Sequence, residues 1–300
     1  MRPMRSWLFT PGNDTRKIRK AFKSEADVIV LDLEDAVAIE QKTATRKNIV
    51  NELNLTQQNA CLLYVRINAT ETEYCYKDLC EIIGPWLDGI LLPKVENASQ
   101  IEKIDWLTEQ LEKEKGLRPG ALDIMPIIET GTGLMSAKYI ANSKTRVKRL
   151  SFGAGDFTND MGMTWTPNEE ELRYARSVIC LESRAAGLEL PIDSVFIDLN
   201  DHKHMKNSAM TASGLGFQGK FCIHPKQINT INQSFTPTKE ELDHAKKIVS
   251  AFKQAESDGL AAIQIDGYFI DYPVAERAQR TLTSMNDIIK QKNNRNTEEE

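Results

Sequence analysis

The chain has 300 residues, 41% of them hydrophobic, enough to bury one large α/β core or two smaller ones. Its net charge of −5, with no concentrated lysine or arginine stripe, argues against general nucleic-acid binding while leaving room for a small anionic ligand. Five cysteines, odd in number and without a Cys-x-x-Cys pair, point away from a disulfide framework or a zinc ribbon and predict reduced thiols in a cytoplasmic protein.

In chain order, the first apolar stretch, Trp7 to Phe9, is broken by Thr10-Pro11-Gly12 and is too short for a signal sequence. No later segment has the length of a membrane span. Strand-length runs rich in Val, Ile, Leu and Phe recur at Ser6–Thr10, Asp27–Leu33, Cys61–Ile67, Gly89–Leu92, Ile124–Ile128, Arg149–Phe152, Ser194–Leu199 and Lys220–Ile223. Helical spacing lies between them, as in Ala98–Glu114, where Ile101, Ile104, Leu107 and Leu111 share a face. Strand followed by helix, repeated, predicts an α/β fold with a parallel sheet. Eight such units fit a closed (β/α)8 TIM barrel, with an open doubly wound sheet as the alternative.

After the eighth run, Thr236-Pro237-Thr238-Lys239-Glu240-Glu241 begins a helix expected to reach about Ser257 and to be the eighth barrel helix. Ala261–Ile265, Asp266-Gly267 and Tyr268–Ile270 then predict a hairpin, followed by a last helix. The expected division is a barrel over 1–257, a C-terminal helical lid extension over 258–288 and a frayed tail over 289–300.

Function on a barrel sits where the strands end. Ile124–Ile128 delivers Glu129, and Leu150–Gly155 delivers Asp156. Two carboxylates from neighbouring strands, with waters and a bidentate substrate, suffice for Mg²⁺, and Mn²⁺ would fit similarly. Each could instead cap the following helix or pair with a lysine. Asp32 and Glu34 share a face of the second strand by period-two alternation, and Asp35 begins the loop, so Glu34 and Asp35 could anchor metal-bound water or form a solvated strand end. Arg66 closes the apolar run Leu62-Leu63-Tyr64-Val65, where its planar fork suits a carboxylate or an enolate oxygen, or a salt bridge to one of the same acids. His202, His204 and His224 lack the companions zinc requires. Gly131-Thr132-Gly133 and Gly153-Ala154-Gly155 complete no phosphate loop and read as tight turns, and Met125, Met135, Met161 and Met163 read as packing.

The ordered set Arg5-Ser6-x-Leu8-Phe9-x-Pro11-Gly12, Asp32-Leu33-Glu34-Asp35-Ala36-Val37, Val65-Arg66-Ile67-Asn68, Leu92-Pro93-Lys94, Ile128-Glu129, Gly155-Asp156-Phe157, Gly219-Lys220-x-x-Ile223-His224-Pro225 and Ile270-Asp271-x-Pro273 resembles the citrate lyase β-subunit-like family along almost the whole chain. The resemblance implies a Mg²⁺-dependent barrel that makes or breaks a carbon–carbon bond beside a CoA thioester, as in citryl-CoA, malyl-CoA and citramalyl-CoA lyases. It implies Glu129 and Asp156 as metal ligands, Glu34 and Asp35 as residues that order metal-bound water, and Arg66 as the contact to the keto acid and the enolate oxygen. It further implies a lid acid at Asp271, reaching over a neighbouring subunit of a homotrimer or hexamer, and CoA contacts at Phe9 and Lys20. Lys94 and Lys220 are alternative basic contacts, unless each is held in a strand-end salt bridge. A thioesterase for malyl-CoA or citryl-CoA, a CoA-independent pyruvate aldolase and a non-catalytic subunit of a lyase complex are the other readings.

Overall fold

The computed structural model describes residues 2–55 and 61–298. Eight parallel strands close into a barrel in sequential order. The barrel elements are β1 (Ser6–Pro11), α1 (Thr15–Phe22), β2 (Val28–Asp32), α2 (Lys42–Leu55), β3 (Leu62–Arg66), α3 (Cys75–Ile82), β4 (Gly89–Leu92), α4 (Ala98–Glu114), β5 (Asp123–Ile128), α5 (Gly131–Ala141), β6 (Ser151–Phe152), α6 (Ala154–Asp160), α7 (Arg173–Ala185), β7 (Ile192–Asp193), α8 (His202–Leu215), β8 (Gly219–Cys222) and α9 (Ile228–Ser234).

Period-two alternation sorts the strand residues into two cores. One set, including Trp7, Val30, Tyr64, Leu91, Met125 and Phe221, fills the barrel interior. The other, including Leu8, Ile29, Leu31, Val65, Ile90 and Ile124, packs outward beneath the helices. This parity decides which polar strand ends reach the mouth. Phe9 follows Trp7, Asp32 follows Val30, Arg66 follows Tyr64 and Glu129 follows Ile127, each two residues on and so on the interior side.

At the opposite end of the interior, Asp123 accepts from Tyr64 Oη at 2.7 Å and from Arg149, which also pairs with Glu189 at 2.6 Å. Asp123 and Arg149 are 3% and 2% exposed, so neither charge can be solvated once the other is removed. Asp123→Ala is expected to lower stability by about 3–5 kcal/mol in urea unfolding, and adding Arg149→Met should restore part of the loss. A single-variant loss below about 1 kcal/mol would show that this buried pair does not hold the barrel floor.

One predicted strand is displaced. Ser194–Leu199 is loop, with Ile197 and Leu199 exposed, and β7 is the two residues before it, pairing Ile192 with Gly219 and Asp193 with Lys220. The strand was hidden by the charge of Asp193. That carboxylate is buried facing the helices, where Arg176 Nε at 2.8 Å and Lys220 Nζ at 2.5 Å neutralise it. Lys220 is therefore a buried structural partner on the outer face of β8 and not a ligand contact. Met125 and Met163 do pack, whereas Met135 and Met161 are exposed.

Residues 236–298 group together as a second compact unit, apart from the barrel of 4–235. It holds α10 (Lys239–Ser257), an antiparallel hairpin of β9 (Ala262–Ile265) and β10 (Tyr268–Asp271), and α11 (Tyr272–Glu298). Thr238 and Glu241 form a capping box at the start of α10. Asp266 and Gly267 turn the hairpin with φ of 52° and 84°, the left-handed pair of a type I′ turn. The apolar stripe Ala245, Ile248, Phe252 of α10 packs on Ile265, Ile270 and Ala278 of its own unit. The expected boundary at 257 thus falls at 235, and the short α9 follows β8 in the barrel in place of α10. The expected tail is helical as far as Glu298, and 299–300 lie outside the described residues. Among the described residues no helix is long and apolar enough to cross a membrane, and all five cysteines are free thiols.

Candidate active site

Arg66 organises the barrel mouth. Its Nε and Nη2 donate to Asp32 Oδ1 and Oδ2 at 2.8 and 2.6 Å, a two-point clamp that fixes the guanidinium plane. Nη1 lies 2.9 Å from Glu34 Oε2 and 3.5 Å from Asp35 Oδ2. The ring of Phe9 lies 4.9 Å from the guanidinium carbon and packs on Phe221 at 5.1 Å. Phe9, expected against CoA, thus supports Arg66 from within the barrel. Burial works against the Arg66 charge, but Asp32, Glu34 and Asp35 raise its pKa above the ordinary value. Burial also opposes ionisation of Asp32, yet Arg66 holds that carboxyl below its usual range.

Glu34 is 6% exposed and its pKa is raised, first by burial and then by Asp35, against the pull of Arg66 and Lys94. Its Oε1 is 2.5 Å from Lys94 Nζ. Its Oε2 is buried and has the charge of Arg66 nearby but no aligned hydrogen bond, leaving an acceptor for a water or a ligand. The backbone behind it is tied down by Lys42, whose buried ammonium donates to Leu33 O, Glu34 O and Asn68 Oδ1 at 2.8, 2.9 and 2.7 Å. Asn68 in turn donates to Asp78 at 2.6 Å. Lys42 thereby joins the ends of β2 and β3.

Glu129 is 2% exposed. It does not cap α5, because Thr130 does, accepting from Gly133 N at 3.0 Å. Glu129 Oε1 instead accepts from Lys94 N at 2.7 Å. Burial, then the charges of Glu34 and Asp156, push its carboxyl up to about 8. Gly153 lies beside it, one step beyond the registered pair Ile128 and Phe152. A Cβ on Gly153 would come within 2.3 Å of Glu129 Oε2, so the glycine makes room for the carboxylate. Asp156 sits in the first turn of α6 without a capping bond, half-exposed, with Oδ1 4.0 Å from Lys94 Nζ.

Lys94, expected at CoA, turns inward to the acids. Its φ of 51° is left-handed, a conformation that costs a non-glycine residue about 1 kcal/mol or more and is imposed by its surroundings. Five carboxylates, Asp32, Glu34, Asp35, Glu129 and Asp156, therefore surround two cations, Arg66 and Lys94. Among the described residues no three His, Cys, Asp or Glu side chains converge to hold a metal by themselves. Glu129 and Asp156 present two carboxylates at the mouth, and two protein oxygens are enough for a hard cation that keeps several waters. His204 pairs with Asp201 at 2.6 Å and His224 accepts from Lys226 N at 3.1 Å.

A cavity of about 570 Å³ opens at the start of α1, lined by Pro11, Asn13, Asp14, Thr15, Arg16, Lys17 and Ala36. Lys20 is exposed on the same helix and does not line it. Arg16 and Lys17 are the basic groups there, and helical spacing from Asp14 could have found them. Asp271 belongs to the second unit, where its Oδ1 accepts from Val274 N at 3.3 Å at the start of α11.

The HpcH/HpaI aldolase/citrate lyase family model matches residues 5–225. Citrate lyase subunit beta of Leuconostoc mesenteroides subsp. cremoris is 35% identical over 282 residues, covering 94% of this chain and 93% of that protein. The L-malyl-CoA/beta-methylmalyl-CoA lyase of Cereibacter sphaeroides is 33% identical over 298 residues, covering 93% of each. Among solved structures, CitE of Mycobacterium tuberculosis in complex with magnesium, acetoacetate and coenzyme A aligns with a TM-score of 0.76 at 29% identity, over 95% of this chain and 98% of that one. With a barrel of this topology and a family match across nearly all of it, the chain belongs to the HpcH/HpaI aldolase/citrate lyase family.

Proposed function

We propose that the chain is a Mg²⁺-dependent acyl-CoA carbon–carbon lyase. It would cleave a 3-hydroxyacyl-CoA, such as citryl-CoA, citramalyl-CoA or malyl-CoA, into acetyl-CoA and a 2-keto acid, with Mn²⁺ able to replace Mg²⁺. The observation that carries this reading is Glu129, a buried carboxyl pushed up to about 8 by its acidic neighbours, in a mouth with more carboxylates than cations. Such a site is short of positive charge. Glu34 Oε2, with the charge of Arg66 2.9 Å away but no aligned hydrogen bond, supports the same fit, since it can accept from a water on a bound cation. Magnesium and coenzyme A in the CitE complex of M. tuberculosis add a relative's precedent.

Glu129 and Asp156 would hold the metal, and Glu34 and Asp35 would order its waters. When bound, the metal supplies Lewis-acid polarisation of the substrate's carboxylate and hydroxyl oxygens. Arg66, fixed by Asp32, faces the thioester enolate oxygen with its remaining N–H groups and favours the charge that develops there. Asp271 exchanges the proton at the acetyl carbon, giving it in cleavage and removing it in synthesis. It would do so from a lid that closes over a neighbouring subunit of a homotrimer or hexamer. Arg16 and Lys17, with Lys20 beyond them, present charge suited to the phosphates of CoA.

Purified protein given citryl-CoA, citramalyl-CoA and malyl-CoA in turn, with and without Mg²⁺, is expected to release acetyl-CoA and one keto acid in a chelator-sensitive reaction. Release of free CoA with the hydroxy acid intact would mark a thioesterase instead. Inertness toward all three would leave a non-catalytic subunit or a CoA-independent aldolase.

A further inference from the structure

Lys94 brings to the mouth a charge that the proposed chemistry does not use. Its ammonium is 2.5 Å from Glu34 Oε1, 3.8 Å from Asp35 Oδ1 and 4.0 Å from Asp156 Oδ1. Its own backbone N–H holds Glu129 Oε1 at 2.7 Å. One residue therefore touches both carboxylates of the donor pair, one through the main chain and the other through its charge. The left-handed backbone, φ 51°, makes both contacts possible at once: it turns N–H toward β5 while the side chain folds back over the end of β2.

We infer that Lys94 is a built-in competitor that limits how tightly the barrel mouth holds a divalent cation, an inference that rests on the metal-dependent reading above. A cation on Glu129 and Asp156 shares Asp156 with an ammonium already within 4.0 Å of it, and like charges at such separations repel. The ammonium also occupies Glu34 Oε1, leaving only Oε2 of that carboxylate for a metal-bound water. Removing the charge leaves Arg66 alone against the five acids and makes the mouth a stronger cation trap. Because the Lys94 side chain is 36% exposed, water screens part of the repulsion, and the expected gain is about ten-fold in affinity.

The probe is Mn²⁺ alone, with free ion followed by electron paramagnetic resonance, on wild type, Lys94→Gln and Lys94→Arg. Each protein is first checked for its fold by circular dichroism. Lys94→Gln is expected to bind Mn²⁺ about ten-fold more tightly than wild type, and Lys94→Arg, which keeps the charge, within about two-fold of it. Equal or weaker binding by Lys94→Gln overturns the inference and leaves the metal site standing. So does tightening by Lys94→Arg, because charge is then not the cause. Absence of saturable binding in all three proteins overturns the metal reading as well. A Lys94→Gln protein that does not fold assigns the residue to structure and likewise overturns the inference.

Discussion

Arg66→Lys is expected to lower kcat/KM for the cleaved acyl-CoA by about a thousand-fold while the protein stays folded. The substitution keeps one positive charge beside Asp32, Glu34 and Asp35, so it does not strand buried acids as Arg66→Met would. What it removes is shape. Asp32 takes Nε and Nη2 together, at 2.8 and 2.6 Å, and this fixes the plane in which the remaining N–H groups face the mouth. An ammonium has no such plane and cannot satisfy Asp32 at two points while reaching a second oxygen. Losing one aligned donor to a developing oxyanion typically costs about a hundred- to a thousand-fold, and the loss of the clamp adds to it. The defect should appear in kcat, with KM for the thioester changed far less, because CoA is proposed to be held elsewhere, around Arg16 and Lys17. Asp32→Asn should show a smaller loss of the same kind. Steady-state kinetics decide the matter, and near-wild-type kcat in Arg66→Lys would remove the guanidinium from the chemistry.

The reach of the sequence is clearest where a contact is set by strand parity. Arg66 and Glu129 each lie two residues beyond an interior apolar position and Glu34 lies four beyond Val30, so alternation alone brings them to one opening. Helix α4 was equally legible, because its apolar spacing and the Asn97 cap both lie within the segment. Asp32 was harder: its clamp on Arg66 joins residues 34 positions apart. The roles of Lys94 and Gly153 were illegible for a different reason. One depends on a left-handed φ at a residue that does not advertise it, and the other on the space a neighbouring strand's carboxylate needs. The β7 error shows that a charge inside a strand is invisible until its buried partners are placed. Helix α10 shows a related limit, since an apolar stripe announces that a helix has a partner but not which one.

Metal binding is expected to be steeply pH-dependent, because Glu129, as the proposed ligand, would have to give up a proton to coordinate. Its carboxyl is raised from 4.5 to about 8, first by burial and then by Glu34 and Asp156. Between those values the folded chain binds the proton that an unfolded chain would release. Without metal, therefore, Glu129 contributes stability that is fully present below 4.5 and is lost as pH rises through about 8. A divalent cation held by Glu129 would reverse this dependence, since it would bind the ionised carboxylate. Apparent Mg²⁺ affinity should climb up to about ten-fold per pH unit between pH 6 and 8 and then level off. Calorimetry at pH 7 in buffers of different ionisation enthalpy should find roughly 0.9 proton released per metal bound. The thermal stabilisation given by a fixed Mg²⁺ concentration should grow over the same interval, following the ratio of concentration to Kd. Glu129→Gln removes both the ligand charge and the titrating proton, so affinity should fall by about a hundred-fold or more at pH 8 and proton release should disappear. Gly153→Ala, which places a Cβ within 2.3 Å of Glu129 Oε2, should weaken binding without abolishing proton release, because the carboxylate is displaced rather than lost. Mg²⁺ affinity that is flat from pH 6 to 8 in the wild-type protein would mean that Glu129 is not in the coordination sphere.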